Sequence, residues 1–212
     1  MLMVQMSQWR RYLLTCAFSL ASLGNVIAAD DAGRMHDNPI VNPVISAPAH
    51  IGNALPHARL AGQGKFRWFG LSIYDAQLWV GDKGFQPSAP DAASFALDLR
   101  YSRSFDGSKI AESSIDQMRK IGSGSDAEYG PWLSQMKSIF PHVIDGSHIT
   151  GIFLPNVGTR FYMDGKMIGE INDPHFATAF FGIWLSPKTT SPTLRKALLM
   201  NATTSTNSTQ HE

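Results

Sequence analysis

The chain has one cysteine among its 212 residues. That residue, Cys16, lies in a short apolar run near the N-terminus, so the rest of the chain carries no thiol. Once that run is removed, the remaining chain has no disulfide, no thiol nucleophile and no thiolate ligand for a metal. Disulfide-stapled folds, thiol hydrolases and cysteine-ligated metal proteins are therefore excluded.

Acidic residues are absent before Asp30, where a basic start is followed by an apolar run over residues 12–27 and by Ala28 and Ala29. This order is typical of a secretory signal peptide. We therefore expect residues 1–29 to be a signal peptide and the protein to be periplasmic or secreted. The alternative is a membrane anchor, but the run is shorter than the ~20 residues that a span needs. No stable membrane span is expected after cleavage.

An excess of basic charge is also missing. The chain has 18 basic and 17 acidic residues, and the predicted signal peptide contains Arg10 and Arg11 but no acid. Proteins that bind nucleic acid through its phosphates need a basic face or domain. No nucleic-acid partner is therefore expected. The remaining length is sufficient for one domain with a sizeable core.

The ends of the remaining chain differ in composition from its middle. Four prolines lie within residues 30–56, and residues 201–212 are polar and rich in Thr and Ser. Such compositions are typical of extended or disordered segments. We predict a flexible Pro-rich arm over residues 30–53, a folded domain over 54–200 and a disordered polar tail over 201–212.

Strand-like and helix-like patterns follow one another along the predicted domain. Strands are predicted over 59–69, 71–80, 93–101, 147–154, 158–163 and 166–171, and helices over 106–121, 127–140, 173–185 and 192–199. Residues 93–101 alternate in a way that predicts one buried and one solvent-facing side. Pro131 is compatible with its helix if it falls in the first turn. The order predicts an α+β fold, an antiparallel sheet covered by helices.

Common cofactor and metal motifs are lacking. Gly62-Gln63-Gly64 has no third glycine at the spacing of a dinucleotide fingerprint, and a strand pattern follows it. We interpret these glycines as a site of backbone crowding or a bulge. The seven histidines show no metal-site spacing, and no GxSxG elbow is present. No cofactor and no metal are predicted.

Arg67 stands in the sequence KFRWF, between aromatic residues and next to a long predicted strand. Burying a guanidinium costs about several kcal/mol unless an anion or hydrogen-bond acceptors receive it. Arg67 is therefore the best candidate for an inward-facing cation. Its partner is either an internal acid, such as Asp75 or Asp98, or an anionic ligand.

Several short segments together point to a family. They are LAGQG at 60–64, IYDAQLW at 73–79, IAESS at 110–114, MRKIG at 118–122, FP at 140–141, GTRF at 158–161, and residues 173–185 with the ending LRKALL at 194–199. In order and spacing they resemble the bacterial chalcone isomerase-like proteins, relatives of plant chalcone isomerases and plant fatty-acid-binding proteins. The resemblance implies an open-faced β-sandwich, an antiparallel sheet covered by a helical layer, with a ligand cleft between the two.

The resemblance also implies site positions. The family's cation falls on Arg67, one residue further from the glycines than in the plant pattern, or on Lys65. Tyr74 stands where the plant strand has a threonine, and Ile110 replaces the catalytic tyrosine. The asparagine that accompanies this tyrosine in the family falls on Gln117, and the family's threonine or serine on the late helix falls beside Thr178. The implied ligand-binding residues are thus Arg67, Tyr74, Lys65, Gln117 and Thr178, and no residue is assigned a catalytic role.

Three functions remain open at this point. The first is non-catalytic binding of a small apolar carboxylate, such as a fatty acid, with its head group on Arg67. The second is an isomerase or lyase for an enone-type substrate, with Arg67 as electrophile and Tyr74 as acid. The third is an interaction domain of the cell envelope that binds an unknown protein partner, with Arg67 neutralised internally.

Overall fold

The computed structural model describes residues 45–203. Their helices and strands are α1 (Ala49–Ala54), β1 (Arg59–Trp68), β2 (Leu71–Val80), β3 (Phe95–Tyr101), α2 (Gly107–Ile121), α3 (Asp126–Ile139), β4 (His148–Leu154), β5 (Gly158–Met163), β6 (Lys166–Ile171), α4 (Pro174–Leu185) and α5 (Pro192–Leu198). No helix in this part of the chain is long and apolar enough to cross a membrane.

The six strands form one antiparallel sheet in sequence order, from β1 at one edge to β6 at the other. The predicted α+β fold with an antiparallel sheet and a helical layer is confirmed. Local signals explain its accuracy. Asp106 caps α2 through Ser108 N, and Asp173 caps α4 through His175 N and Phe176 N, as short acidic side chains do at helix starts.

One face of the sheet packs against the helical layer. On β2, Tyr74 and the buried Ala76, Leu78 and Val80 share this face, as alternation requires. The space between the layers is filled by aromatic rings in mutual contact, those of Phe85, Phe95, Phe140, Phe153, Phe161, Phe176, Phe180, Phe181 and Trp184. This apolar interior is the main source of stability.

The opposite face of the sheet is covered as well, although the sequence predicts it as solvent-facing along β3. Asp98 is 3 % exposed and Ala96 is fully buried. A second apolar cluster on this face joins Ile51 and Leu55 with Trp79 and Ile152. The prediction was wrong for Ala96 and Asp98 because the cover comes from α1, more than 40 positions away in sequence, whereas Arg100 is exposed as predicted.

The predicted boundaries of the folded domain differ from the structure at both ends. Residues 49–53, assigned to the flexible arm, belong to α1, and Ile51 is fully buried. At the other end, Asn201 N bonds to Ala61 O and Ala202 is buried, although both were assigned to the tail. The predicted signal peptide, the first part of the arm and residues 204–212 lie outside the described residues.

Two further details bear on the predictions. Pro131 lies within α3, at the sixth position of a helix that starts at Asp126, and not in the first turn. The paired glycines of β1 lie against α5, and the β1–β2 register shifts between Leu60 and Gly62. A Cβ atom on Gly62 would collide with the carbonyl oxygens of Ala197 and Leu198. Crowding and a bulge are therefore both present at this site.

Candidate functional site

Four aromatic side chains meet where the first half of β2 approaches α4, and we call them the Tyr74 cluster: Phe66, Tyr74, Tyr101 and Trp184. Trp184 Nε1 donates a hydrogen bond to the Tyr74 hydroxyl over 3.0 Å. The Tyr74 ring stacks on Phe66 at 5.1 Å and meets Tyr101 edge-on at 6.0 Å. The register places all three strand residues on the helical side, since Phe66 pairs with Tyr74 and Tyr74 with Tyr101.

The two tyrosines of this cluster remain protonated donors. Burial raises the pKa of the Tyr74 hydroxyl, although the bond from Trp184 acts in the opposite direction. Burial also raises the pKa of Tyr101, and the neighbouring Tyr74 adds to the effect. A phenol with a raised pKa carries its proton at neutral pH. The cluster can therefore donate hydrogen bonds from an apolar setting, but it cannot supply a phenolate base.

Two half-buried apolar side chains form the rim of the Tyr74 cluster: Phe66, itself a member, and Phe105 beside it. Both pack against the interior but stay partly accessible, and the Phe105 ring lies 5.8 Å from that of Tyr101. Arg103 lies between Tyr101 and Phe105 in sequence, and its Nε is buried with no hydrogen-bond partner in residues 45–203. No local sequence pattern distinguishes this arginine from an exposed one, so it was not among the predicted site residues.

Arg67, predicted to face inward, is exposed. It lies close to the β1–β2 turn, after a register shift between Phe66 and Arg67. The prediction of a buried Arg67 was wrong because its apolar neighbours Trp68 and Phe69 are themselves exposed at the turn. Asp75 and Asp98 do not neutralise it: Asp75 pairs with Lys65 over 2.8 Å, and Asp98 bonds to His148 and Thr150.

The other predicted site residues do not meet at one place. Lys65 is exposed and forms its ion pair with Asp75 of the neighbouring strand. Gln117 accepts a hydrogen bond from Thr190 over 2.8 Å, outside the Tyr74 cluster. Thr178 donates to Asp91 and to the carbonyl of Pro174. Of the five predicted residues, Tyr74 alone belongs to the cluster described above.

A second polar network lies on the opposite face of the sheet, beneath α1. Thr150 donates to Asp98 over 2.7 Å, so its oxygen accepts from His50 Nε2 at 2.9 Å. His148 Nδ1 lies 2.7 Å from the other oxygen of Asp98. The hydrogen bond to Asp98 raises the pKa of His148, whereas burial lowers that of His50. No three metal-ligand side chains are grouped to hold an ion within residues 45–203.

One small cavity of about 210 Å³ is lined by the segment between β2 and β3, from Lys83 to Ala93. Pockets for drug-sized ligands commonly have roughly 300–1,000 Å³. Strand direction places this cavity at the end of the sheet opposite the Tyr74 cluster. The cavity therefore does not contribute to the cluster.

Comparisons with known proteins show what this chain is similar to. An uncharacterized protein of Haemophilus influenzae is 24% identical over 143 residues, which cover 68% of each chain. The crystal structure of a fatty-acid binding protein of Arabidopsis thaliana superposes with a TM-score of 0.49 at 17% identity, covering 69% of this chain and 89% of that one. The family described as chalcone isomerase-like matches residues 49–200, and the chain therefore belongs to that family.

Proposed function

We propose that this chain binds a small apolar ligand with an acceptor head group, such as a fatty acid, at the Tyr74 cluster. The observation that carries the proposal is the pair of protonated phenols, Tyr74 and Tyr101, whose rings lie 6.0 Å apart in an apolar setting. Ligand sites typically combine apolar walls with a few placed polar groups. A ligand oxygen near both hydroxyls would accept from each.

The O–H groups of Tyr74 and Tyr101 remain available as hydrogen-bond donors within the cluster. The Tyr74 oxygen already receives the Trp184 N–H, so its own O–H is oriented away from that bond. Within residues 45–203 no side-chain hydrogen bond engages the Tyr101 hydroxyl. The Tyr101 hydroxyl is not fully enclosed, because it is not among the buried polar atoms that lack a partner in the described residues. A carboxylate or carbonyl oxygen could therefore reach it and accept its hydrogen bond, which favours an acceptor head group over a donor.

A cation near the cluster would balance a carboxylate. Arg103 follows Tyr101 by two positions and has a buried Nε without a partner in the described residues, whereas Arg67 is exposed. Charge-assisted hydrogen bonds are about twice as strong as neutral ones. We therefore assign the head-group cation to Arg103 and treat Arg67, the cation expected from the family resemblance, as the alternative.

The apolar part of the ligand would lie along the rim. Phe66 and Phe105 are half-buried there, so contacts with them remain available. The deeper rings are packed against one another, and repacking them would cost stability. A short alkyl chain that covers the rim side chains therefore fits better than a large planar ligand between the layers.

The proposal is binding without turnover. Ile110, at the start of α2, stands where the family resemblance places a catalytic tyrosine. An isoleucine can neither hydrogen-bond a ketone nor transfer a proton. The raised pKa of Tyr74 and of Tyr101 makes their phenols poor proton-transfer groups at neutral pH, because general acid–base catalysis works best with a pKa near the working pH. We place this binding in the periplasm or outside the cell, on the basis of the signal-peptide pattern of residues 1–29.

Native mass spectrometry of the full chain with dodecanoate tests the proposal. We expect a single dodecanoate adduct on the wild-type protein and a lower occupancy on Arg103→Gln. Arg67→Gln should keep the wild-type occupancy, because its side chain is exposed. Thermal unfolding of both variants establishes that they are folded.

Different results separate the parts of the proposal. A wild-type chain that forms no adduct at any dodecanoate concentration contradicts ligand binding as a whole. Loss of the adduct in Arg67→Gln with retention in Arg103→Gln would transfer the head-group role to Arg67. Loss in neither variant would show that the phenols act without a cation.

A further inference from the structure

Alternation of strand direction brings three connections to the same end of the sheet. These are the β1–β2 turn, the segment that enters β4, and the β5–β6 turn. We call this end the hairpin end. Large apolar side chains concentrate there. Of the eight that are exposed within residues 45–203, five lie at the hairpin end: Trp68, Phe69, Leu71, Ile144 and Met167.

Phe69 is the most exposed of the eight, at 81 %. It has φ 47° and is followed by Gly70 at φ 78°, the left-handed pair that closes a two-residue hairpin. The β5–β6 turn has the same geometry, with Asp164 at φ 48° and Gly165 at φ 81°. Asn and Asp suit the first position, whereas a bulky side chain is disfavoured there. Phe69 therefore occupies a position where its side chain reduces backbone stability.

The turn presents a second aromatic ring beside the first. Trp68 is 43 % exposed, and its ring lies 4.6 Å from that of Phe69, edge to face. Leu71 follows on β2 and is also exposed. The three side chains lie around one two-residue turn, and we call them the apolar tip. A stable protein interface takes roughly 20–30 residues from each partner, many more than this tip contains.

Charges around the tip are of both signs, with cations nearest to it. Arg67 is exposed beside the tip and has no ion pair within residues 45–203, and Lys65 is paired with Asp75. Further along the same end the exposed charges are mixed, and they include Arg100, Asp145, Asp164 and Lys166. The apolar tip is thus the dominant feature and Arg67 its closest unpaired charge.

We propose that the hairpin end docks on a lipid membrane surface, with Trp68 and Phe69 entering the head-group region. Tryptophan favours this region because its ring is apolar and its N–H is polar. Phe69 and Leu71 would transfer apolar area out of water. Arg67 would lie at the level of anionic head groups, whose surface potential attracts nearby basic side chains. This docking does not depend on the ligand proposed for the Tyr74 cluster.

Flotation of the full chain with lipid vesicles tests the docking. One vesicle preparation is phosphatidylcholine alone, and the other contains about one-third phosphatidylglycerol, which adds the surface potential. We expect the wild-type chain to float with both and more strongly with the anionic vesicles. Added salt should reduce the difference between the two preparations, because it screens the attraction to Arg67.

The variants separate the apolar and charged contributions. Trp68→Ala combined with Phe69→Asn should lower partitioning at least about tenfold on both vesicles. Arg67→Gln should lower it on anionic vesicles alone. Val157→Ala is the matched control, because Val157 is 49 % exposed in the β4–β5 turn at the other end of the sheet. Its partitioning should equal that of the wild type.

Phe69→Asn also separates loss of docking from loss of folding. Asparagine suits the left-handed position, so this substitution should raise the melting temperature. A more stable variant with weaker flotation supports docking through the tip. Wild-type protein that floats with neither vesicle overturns the proposal, and so does a Trp68→Ala/Phe69→Asn variant that floats like the wild type. A dimer that Phe69→Asn abolishes, without vesicle binding, would show that a second copy covers the tip.

Discussion

Trp184 of α4 donates its indole N–H to the hydroxyl of Tyr74 on β2, over 3.0 Å, across 110 positions of sequence. The bond ties the helical layer to the sheet beside the rim of the interior. It also fixes the direction in which the Tyr74 O–H can donate. The same two residues therefore link the two layers of the fold and belong to the proposed ligand site.

Replacement of either partner should expose the strength of this bond. Trp184→Phe and Tyr74→Phe each remove one side of the hydrogen bond but keep an aromatic ring in the interior. A neutral hydrogen bond contributes roughly 0.5–1.5 kcal/mol net, so the double-mutant cycle should give a coupling energy in that range. Urea unfolding of the wild type, the two single variants and the double variant measures it. Strictly additive effects would show that the bond adds nothing to stability.

Gly62 should be intolerant of a side chain. Gly62→Ala places a methyl group against the backbone carbonyls of Ala197 and Leu198, and backbone atoms cannot rotate away. We expect a loss of about 1–3 kcal/mol in unfolding free energy, as for other overpacked interior sites. Gly52→Ala is the control, because Gly52 lies in α1 and an added methyl group there would meet open space. The unfolding free energy of Gly52→Ala should rise by up to ~1 kcal/mol. Equal melting temperatures for the two variants would contradict the packing of α5 on β1.

Two helix caps offer a matched comparison of stability. Asp173 caps α4 and also accepts the indole N–H of Trp132 over 2.8 Å. Asp106 caps α2 but receives no indole N–H from residues 45–203. Loss of a cap costs ~1 kcal/mol, and a buried donor left without its acceptor adds roughly 1–3 kcal/mol. Asp173→Ala should therefore destabilise the protein by more than Asp106→Ala in chemical denaturation. The reverse order would rule out the role assigned to the Trp132 bond.

The Asp98 network should make stability depend on pH through His148. The hydrogen bond to Asp98 raises the pKa of His148 in the folded protein, so protonation favours folding. This contribution is fully present below the ordinary histidine pKa of ~6.5 and is lost as pH rises through the raised value. His50 acts in the opposite sense, because burial lowers its pKa and its contribution is lost as pH falls.

Comparison of the wild type with His148→Asn isolates the contribution of His148 to the pH dependence of stability. The difference in melting temperature should be larger at pH 5.5 than at pH 8.5, because His148 carries its stabilising proton at the lower pH. Since His148 is 42 % exposed, solvent screening limits the size of the effect. A difference that does not vary with pH would contradict the coupling of His148 to Asp98.

The sequence predicted most of the fold and little of the site. Strand alternation and the helix patterns that begin at Asp106 and Asp173 depend on residues close together in sequence, and the strands and helices that they predict are present. Burial of Arg67 was inferred from apolar neighbours, but those neighbours lie at an exposed turn. The Tyr74–Trp184 bond joins residues that no local pattern relates, so the sequence could not reveal it.

Titration calorimetry of dodecanoate into the full chain tests the central claim most directly. The wild type should bind one equivalent, and Tyr74→Phe should bind at least about tenfold more weakly, because a hydrogen bond to a charged acceptor contributes ~1.5–3 kcal/mol. Tyr129→Phe is the control, since its hydroxyl donates to Ser123 O in another part of the helical layer. Its affinity should match that of the wild type. Equal affinities for wild type and Tyr74→Phe, or no binding by the wild type, would contradict a ligand site at the Tyr74 cluster.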